Sequence, residues 1–302
     1  MEYGDKHILV LGAGASGIGA SWVLAQVGAH VVLNDYKPVT LPADEEKRLV
    51  SAGVDIITGR QDESLLDGVD RIVISPGISL DIPIVKAAQA RGIDVVSEVE
   101  VAYELSKSPI VAVTGTNGKT TTTTLLTKVL EGTGKPVRVG GNIGDSLSEV
   151  AYSMPADGFL VAELSSYQLE TIKHFRPIGA IMLNITPDHL ARHKTMENYI
   201  AAKERIFENQ LSTDFMVLNI DDPIVADMKH RAPSHILEIS QHQVVSNGAY
   251  YDKGQCYVTK NGTATPVIGS ADIHIPGSHN IENILTVIAL AYALGVPVET
   301  IH

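Results

Sequence analysis

Thr114-Gly115-Thr116-Asn117-Gly118-Lys119-Thr120 is the stretch that decides how this sequence folds. It follows the apolar run 109–113 and precedes a segment with the composition of a helix. A glycine-rich turn between a strand and a helix collects free backbone N–H groups at the positive end of a helix dipole, where phosphate binds. Lys119 adds a cation, and Thr120 adds a hydroxyl that can reach a phosphate-bound Mg²⁺. The stretch therefore predicts a polyphosphate site, although Val113 stands where the standard G-x-x-x-x-G-K-[ST] pattern has glycine.

The composition describes an aliphatic globular chain that is long enough for two domains. Its 302 residues are 44% hydrophobic, and 23 basic against 35 acidic side chains give a net charge of −12. This charge argues against a nucleic-acid-binding protein, because phosphate backbones attract clustered Lys and Arg. The single cysteine, Cys256, together with the lack of a signal peptide or an apolar run of about 20 residues, predicts a cytoplasmic protein that does not bind membranes.

A second glycine-rich turn lies near the N-terminus and predicts a dinucleotide-binding fold. Gly12-Ala13-Gly14-Ala15-Ser16-Gly17 follows the predicted strand His7–Leu11 and opens a helix predicted over 18–27. Asp35 ends the next strand, at the distance of about 20 residues that the G-x-G-x-x-G fingerprint requires. Alternating strands and helices follow, which predicts a parallel sheet with helices on both faces. Ser75-Pro76-Gly77 ends another predicted strand and is either a ligand-binding edge or a simple turn.

We predict an α/β protein of two domains that meet at the proline-closed stretch Ser106-Lys107-Ser108-Pro109. Residues 1–107 would form a Rossmann-like nucleotide-binding domain. Residues 108–302 would form a P-loop-type ATPase domain with a central, mainly parallel sheet. Strands are expected at 158–163, 180–184 and Phe215–Asn219, a hairpin at 250–260 and a helix at 281–294. Because 297–302 resembles the first turn of another helix, we expect a further domain that is absent from this sequence.

Several polar side chains follow the predicted strands of the second domain and could hold a metal ion. Glu163 ends one strand, where a carboxylate is suited to bind Mg²⁺. His189 follows another strand and lies four residues before His193, but the intervening residues lack the Glu of the H-E-x-x-H zinc motif. A zinc protease is therefore not expected. On local sequence alone, Glu163 could equally be a solvated strand end and His189 an ordinary hydrogen-bonded histidine.

Three further positions are ambiguous on local sequence alone. Lys203 lies on an amphipathic helix predicted over 199–207 and would ordinarily be a surface lysine, because an unmodified amine is a poor metal ligand. Asn280 and Asn283 lie on one face of the last full helix. Their amides could hydrogen-bond a base such as adenine, or they could simply be helix-surface residues.

Taken together and in this order, these motifs resemble the Mur ligase family. The resemblance covers essentially the whole chain and rests on the phosphate loop, E-L-S-S-Y-Q-L-E at 163–170, N-I-T-P-D-H at 184–189, A-A-K at 201–203 and H-N-I-E-N at 279–283. The N-terminal glycine turn distinguishes the chain from the folylpolyglutamate synthetases, which share the ATP loop. The run at 163–170 is most similar to the members that add D-glutamate. The sequence departs from the family pattern at Ala191, where an Asp is usual.

The resemblance implies an ATP-dependent, amide-forming ligase of peptidoglycan precursor synthesis that acts as a monomer. The L-alanyl carboxylate of UDP-N-acetylmuramoyl-L-alanine would attack ATP, and D-glutamate would then displace phosphate from the acyl phosphate. The family resemblance also implies two Mg²⁺ ions and a carbamylated Lys203. Since D-glutamate capture and closure over ATP would belong to a third domain, we expect little or no turnover by this chain alone.

The resemblance also implies a role for each matching residue. The catalytic residues would be Lys119, Glu163, His189 and Lys203, and the Mg²⁺ ligands would be Thr120, Glu163, His189 and Lys203. ATP would contact Gly115, Thr116, Asn117, Gly118, Lys119, Thr120, Thr121, Asn280 and Asn283. The UDP-substrate would contact Gly14, Ala15, Ser16, Gly17, Asp35, Tyr36, Lys37, Ser75, Pro76, Gly77, Asn142 and His189.

Two other functions use some of the same residues. A non-catalytic UDP-sugar-binding module would need the same nucleotide sites without turnover. A nicotinamide-dependent oxidoreductase would use the N-terminal glycine turn, but it would leave Lys119, Glu163 and Lys203 without a role.

Overall fold

The computed structural model describes residues 3–275 and 277–302. The strands are β1 His7–Leu11, β2 His30–Asp35, β3 Asp55–Thr58, β4 Arg71–Ile74, β5 Asp94–Ser97, β6 Ile110–Thr114, β7 Val137–Gly141, β8 Phe159–Glu163, β9 Gly179–Met182, β10 Phe215–Asn219, β11 His235–Ser240, β12 Gly248–Asp252, β13 Gln255–Lys260 and β14 Thr263–Gly269. The α-helices are α1 Ala15–Gln26, α2 Ala43–Ser51, α3 Pro83–Ala90, α4 Glu98–Leu105, α5 Lys119–Glu131, α6 Leu147–Ser153, α7 Ser166–Leu169, α8 Leu190–His193, α9 Met196–Glu204, α10 Pro223–Asp227, α11 Ser278–Ala293 and α12 Val298–Ile301.

The chain packs into two compact units. The first unit contains the residues up to Lys107 together with Gly144–Ser153 and Tyr167–Phe175. The second unit contains Ser108–Ile143, Met154–Ser166 and Arg176–His302. The chain thus changes unit at the Ser106–Pro109 stretch, and two later segments pack with the N-terminal sheet.

The first unit is built on a parallel sheet with the strand order β3-β2-β1-β4-β5. This is the order of a Rossmann-like fold, and it confirms the predicted fold class. The central strand β1 buries the four residues that follow His7, as expected for a strand covered on both faces. Separate apolar clusters, centred on Leu24 and Leu33 and on Ile72 and Val85, form the core.

The second unit contains a sheet with the order β14-β13-β12-β11-β10-β9-β6-β8-β7. Pairing is parallel from β7 to β12 and antiparallel among β12, β13 and β14, so the predicted mainly parallel sheet is confirmed. The predicted hairpin is β12–β13, with Lys253 and Gly254 at its turn. Strands β7, β11 and β14 were not predicted from the sequence. The edge strands β7 and β14 lie partly exposed and carry glycine, and β14 also contains Pro266, which weakens the strand signal.

Several predicted element bounds are wrong by a few residues. Helix α9 spans Met196–Glu204 instead of 199–207, because the Thr195 hydroxyl accepts a hydrogen bond from the Asn198 N–H and caps the helix earlier. The strand predicted at 180–184 ends at Met182. Among residues 3–275 and 277–302, none of the helices combines the length and apolar character that crossing a membrane requires.

Candidate functional site

The phosphate loop of the second unit is shorter than a standard one. Strand β6 continues to Thr114, so Val113 is a buried strand residue that pairs with Glu163 and Ile181. Helix α5 begins at Lys119, which leaves only residues 115–118 in the turn. This explains why a glycine is not needed at position 113.

Both glycines of this turn are required by the backbone. Gly115 and Gly118 have φ values of +148° and +86°, which other residues rarely adopt. A Cβ atom on Gly115 would lie 2.9 Å from the Leu183 Cβ, and one on Gly118 would lie 2.5 Å from the Asn283 Oδ1. The turn is therefore packed closely against β9 and α11.

The start of α5 offers an anion-binding geometry. Its N-cap is Gly118, its first turn contains no acidic residue, and no side chain caps it within the described chain. The first N–H groups of a helix lack intrahelical acceptors and lie at the positive end of its dipole. The Lys119 Nζ donates to the carbonyl oxygens of Gly115, at 3.2 Å, and Thr116, at 2.9 Å. A lysine cation and helix N–H groups therefore face the same loop, while Thr120 is exposed beside them and Thr121 is half-buried.

Lys203 lies beneath this loop, and its interpretation as a surface lysine is wrong. The residue is 2% exposed. Its Nζ donates to the Gly115 carbonyl oxygen at 2.8 Å and to the Thr114 Oγ1 at 3.3 Å. Tyr199 packs its ring 5.0 Å from the same Nζ, and its hydroxyl lies 3.1 Å from the Thr116 Oγ1. The local sequence around Tyr199 predicts no role for it, because only the folded chain shows that it joins Lys203 to the loop.

The surroundings of Lys203 change its protonation. Burial and, to a smaller extent, the positive charge of Lys119 together lower the pKa of Lys203 to about 7, although the carboxylate of Asp188 opposes them. A large fraction of the amine is therefore neutral near pH 7. A neutral lysine amine is a nucleophile, whereas an ordinary protonated lysine is not.

Glu163 is a buried carboxylate at the end of β8 and not a solvated strand end. It is 1% exposed, and its Oε1 accepts a hydrogen bond from the Asn142 Nδ2 at 2.8 Å. Its Oε2 is buried without a hydrogen-bond partner in the described residues. An unpartnered buried carboxylate oxygen costs free energy unless something else binds it. A Mg²⁺ ion suits this oxygen, because Mg²⁺ is typically held by one or two carboxylates together with substrate phosphates.

Residues 3–275 and 277–302 contain no group of three or more His, Cys, Asp and Glu side chains that is placed to hold a metal ion. His189 is exposed, has a φ of +54°, and places its Nε2 3.3 Å from the Asp188 Oδ2. His193 is buried instead, with its Nε2 2.9 Å from the Ser166 Oγ. The two histidines therefore have different partners.

Asn280 and Asn283 are buried and are not helix-surface residues. The Asn283 Nδ2 donates to the Asn280 Oδ1 at 3.0 Å, and the Asn283 Oδ1 accepts from the Thr122 hydroxyl at 3.2 Å. The pair thus fixes the start of α11 against the phosphate loop and α5. A cleft of about 530 Å³ opens nearby and is lined by Asn184, Ile185, Asn219, Asp221, Asp222, Pro223, Ile224, His242 and Glu282.

The glycine turn of the first unit is also closely packed. Gly12 has a φ of +100°, and a Cβ atom on Gly17 would lie 1.8 Å from the Gly12 carbonyl oxygen. Asp35 accepts hydrogen bonds from the N–H groups of Ala13 and Lys37, both at 3.0 Å, so it shapes the turn. The Ser75 hydroxyl donates to the Gly12 carbonyl oxygen at 3.2 Å. Residues predicted from β1, β2 and β4 therefore meet at one sheet edge.

The turn of the first unit leaves space for a ligand. Helix α1 begins at Ala15, with Gly14 as its N-cap and no acidic residue in its first turn. A Cβ atom on Gly14 would meet no atom within 4 Å, so the surface above the helix start is open. Ala15 is exposed there and Ser16 is half-buried, and Tyr36 is 70% exposed beside Asp35. Pro76 and Gly77 follow Ser75 in the turn after β4. An anion at this helix start would meet N–H groups.

Comparison with known proteins agrees with this architecture. Residues 113–291 match the Mur ligase middle domain, and residues 6–97 match the N-terminal domain of MurD-like Mur ligases. The chain is 44% identical over 301 residues to a UDP-N-acetylmuramoylalanine–D-glutamate ligase from Thermoanaerobacter sp. (strain X514), which aligns with 100% of the chain. It is 42% identical to the ligase of the same name from Halalkalibacterium halodurans, again over 100% of the chain. The chain spans about 66% of the length of these curated relatives.

Solved structures share the fold at lower identity. A UDP-N-acetylmuramate:L-alanyl-gamma-D-glutamyl-meso-diaminopimelate ligase from Neisseria meningitides aligns with a TM-score of 0.67 and 22% identity, over 98% of this chain and 96% of that one. UDP-N-acetylmuramate-alanine ligase from Thermotoga maritima aligns with a TM-score of 0.54 and 23% identity, over 98% of this chain and 66% of its own. The match to the Mur ligase middle domain alone covers more than half of the sequence. The chain therefore belongs to the Mur ligase family.

Proposed function

We propose that this chain carries the ATP-binding and UDP-sugar-binding units of a ligase that joins D-glutamate to UDP-N-acetylmuramoyl-L-alanine. The observation that carries the proposal is the phosphate loop, because Lys119 and Lys203 both donate to its Gly115 carbonyl oxygen. The names of the relatives supply the substrates. As the family resemblance implies, the protein would act as a cytoplasmic monomer.

In the proposed reaction the L-alanyl carboxylate attacks the γ-phosphorus of ATP, which gives an acyl phosphate and ADP. The amine of D-glutamate then attacks the acyl carbon, loses a proton and displaces inorganic phosphate. Phosphoryl transfer depends mainly on positioning and on neutralising charge. Lys119 and the first N–H groups of α5 would supply that neutralisation, with Thr116, Asn117, Thr120 and Thr121 lining the phosphates. Asn280 and Asn283 would support the adenine through the start of α11.

Mg²⁺ is the usual cofactor of this family, and we assign its ligands here. Glu163, through its unpartnered Oε2, and Thr120 would hold a first ion, and His189 would contribute to a second. When bound, Mg²⁺ neutralises the phosphate charge. Lys203 would contribute as a carbamate. Its neutral amine would add to CO₂ and release one proton. The side chain would then end in a negatively charged carbamate, whose oxygen atoms can bind a metal ion.

The first unit would bind the UDP-substrate. The helix start at Gly14–Gly17 offers N–H groups to a diphosphate, and Asp35, Tyr36 and Lys37 would lie at the uridine. Ser75, Pro76 and Gly77 would complete this edge. Asn142 is a further residue that we propose contacts the substrate. Membership of the Mur ligase family favours the UDP-substrate over the nicotinamide alternative, and a UDP diphosphate would use the same glycine turn.

Isothermal titration calorimetry tests the proposal with UDP-N-acetylmuramoyl-L-alanine and, separately, with a non-hydrolysable ATP analogue and Mg²⁺. We expect one site for each ligand. A chain that does not bind the UDP-substrate would contradict the proposal. In a phosphate-release assay with both substrates and D-glutamate we expect little or no release by this chain alone, and robust release that depends on D-glutamate would contradict that expectation.

A further inference from the structure

The phosphate loop is held from outside by the segment Asn184–Ile185–Thr186, which follows β9 and which we call the loop clamp. The Thr116 N–H donates to the Asn184 carbonyl oxygen at 2.9 Å. The Asn184 side chain accepts from the Asn117 N–H at 2.9 Å and donates to the Asn117 carbonyl oxygen at 3.1 Å. The Thr186 N–H donates to the Thr116 Oγ1 at 3.0 Å. The side-chain amide of Asn184 thus both accepts from and donates to the backbone of Asn117, as a peptide group of a neighbouring strand would.

The loop clamp decides which backbone groups can meet a ligand. The N–H groups of Thr116 and Asn117 are already used by Asn184, so a phosphate must be bound by N–H groups from Gly118 onwards. The turn of residues 115–118 is also too short to wrap an anion by itself. Its shape therefore depends on the loop clamp, and a loop shaped before binding loses less conformational entropy when the ligand arrives.

Asp222 anchors the loop clamp to the next strand of the sheet. Its Oδ2 accepts from the Ile185 N–H at 2.8 Å. Its Oδ1 accepts from the N–H groups of Ile224 and Val225, at 2.9 and 3.2 Å, and caps α10. One carboxylate therefore joins the start of α10, which follows β10, to the segment that holds the phosphate loop.

We propose that Asn184 is a positioning residue that sets the conformation of the phosphate loop, and that Asp222 is its anchor. This inference rests on the proposed function, because it assumes that the loop binds the β- and γ-phosphates of a nucleotide. It predicts a loss of affinity that grows with the number of phosphates on the nucleotide. A residue that served only general stability would weaken all nucleotides alike.

The test is calorimetry of the wild-type chain and the Asn184→Ala variant with AMP, ADP and ATP in the presence of Mg²⁺. We expect Asn184→Ala to weaken ADP and ATP binding by about tenfold and to leave AMP binding within about twofold, because only the phosphate loop changes. Asn184→Asp keeps the acceptor for the Asn117 N–H but opposes the Asn117 carbonyl oxygen, so its loss should be at least as large. Asn247→Ala is the matched control, since the Asn247 Oδ1 accepts from the Asn261 N–H at 2.9 Å in a distant hairpin region.

Asp222→Asn provides a second, milder variant if the Asn184 variants are poorly folded. Its amide can still accept for the α10 cap, and it should cause a several-fold loss that is again confined to ADP and ATP. Equal losses for AMP, ADP and ATP, or unchanged ATP binding in every folded variant, would overturn the inference. A wild-type chain that binds none of the three nucleotides would instead contradict the proposed function.

Discussion

The two units of this chain use the same strand–turn–helix device and stabilise it in different ways. In the first unit an acidic residue shapes the turn, because Asp35 accepts from the N–H groups of Ala13 and Lys37. In the second unit lysines cross the turn, and the loop clamp that begins at Asn184 holds it from outside. The helix starts themselves are alike, since each follows a glycine N-cap and has no acidic residue in its first turn.

This difference shows that a glycine turn alone does not identify a ligand. The helix start supplies N–H groups for an anion in both units. The neighbouring side chains then set the charge that the site tolerates. In the second unit, two lysines and the unpartnered Glu163 oxygen suit a polyphosphate with its metal ion. In the first unit, the exposed ring of Tyr36 and the carboxylate of Asp35 suit a nucleoside diphosphate, whose charge is smaller.

The largest expected effect comes from removing the positive charge of Lys119 in the second unit. Lys119→Ala should weaken ATP binding by roughly 100-fold, because charge-assisted hydrogen bonds are the strong ones. UDP-substrate binding should be unchanged. Calorimetry with both ligands checks this, and Lys128→Ala is the control, since Lys128 lies on the same helix and is exposed beside Glu131. If the ATP affinity of Lys119→Ala stayed within about twofold of the wild-type affinity, Lys119 would not be part of the ATP site.

Disrupting the turn of the first unit should have the opposite selectivity. Gly17→Ala forces a Cβ atom to within 1.8 Å of the Gly12 carbonyl oxygen, so the turn must shift. We expect UDP-substrate binding to weaken by about 30-fold and the free energy of unfolding to fall by about 2 kcal/mol, as for other overpacked sites. ATP binding should remain.

Gly14→Ala sharpens the same comparison, because a Cβ atom there meets open space and the φ of −87° suits alanine. Chemical denaturation should show unchanged stability for this variant. A loss of UDP-substrate affinity would then report the ligand itself passing over Gly14. If Gly17→Ala weakened the binding of ATP and of the UDP-substrate equally, the proposal that the two ligands bind at separate sites would be contradicted.

Glu163→Gln should produce a smaller, metal-dependent effect. Glutamine keeps an oxygen that accepts from the Asn142 Nδ2, but it removes the charge that suits Mg²⁺. We expect the gain in ATP affinity on adding Mg²⁺ to shrink by about tenfold, and metal-free binding to change little. Titrations with and without EDTA measure both quantities. An undiminished Mg²⁺ gain would exclude Glu163 as a ligand.

The smallest effect is a pH dependence of Lys203 modification. Only the neutral amine adds CO₂, and burial lowers the pKa of Lys203 to about 7, so the carbamate should form more completely as the pH rises through that value. Ordinary lysines, with a pKa of about 10.4, stay protonated in this range. Carbon-13 NMR with labelled bicarbonate between about pH 6 and 8 should show a few-fold increase. A signal of equal size in Lys203→Arg would place the carbamate on another residue.

The sequence predicts the parts of this fold that depend on local pattern. Strands such as His7–Leu11 and Phe215–Asn219 have the predicted bounds, because short apolar runs between turns carry a clear signal. The burial of Lys203 could not be predicted, because its helix carries ordinary charged neighbours and only the tertiary structure places it under the loop. The role of Asn184 was also hidden, since the same residue would serve equally well in a simple turn.

The most direct measurement of the central claim is a crossed calorimetric titration. Wild type, Lys119→Ala and Gly17→Ala are each titrated with an ATP analogue and with UDP-N-acetylmuramoyl-L-alanine. We expect the wild-type chain to bind both ligands. Lys119→Ala should lose binding of the ATP analogue only, and Gly17→Ala should lose binding of the UDP-substrate only. A wild-type chain that binds only one ligand, or variants that each lose both, would contradict the assignment of one nucleotide site to each unit.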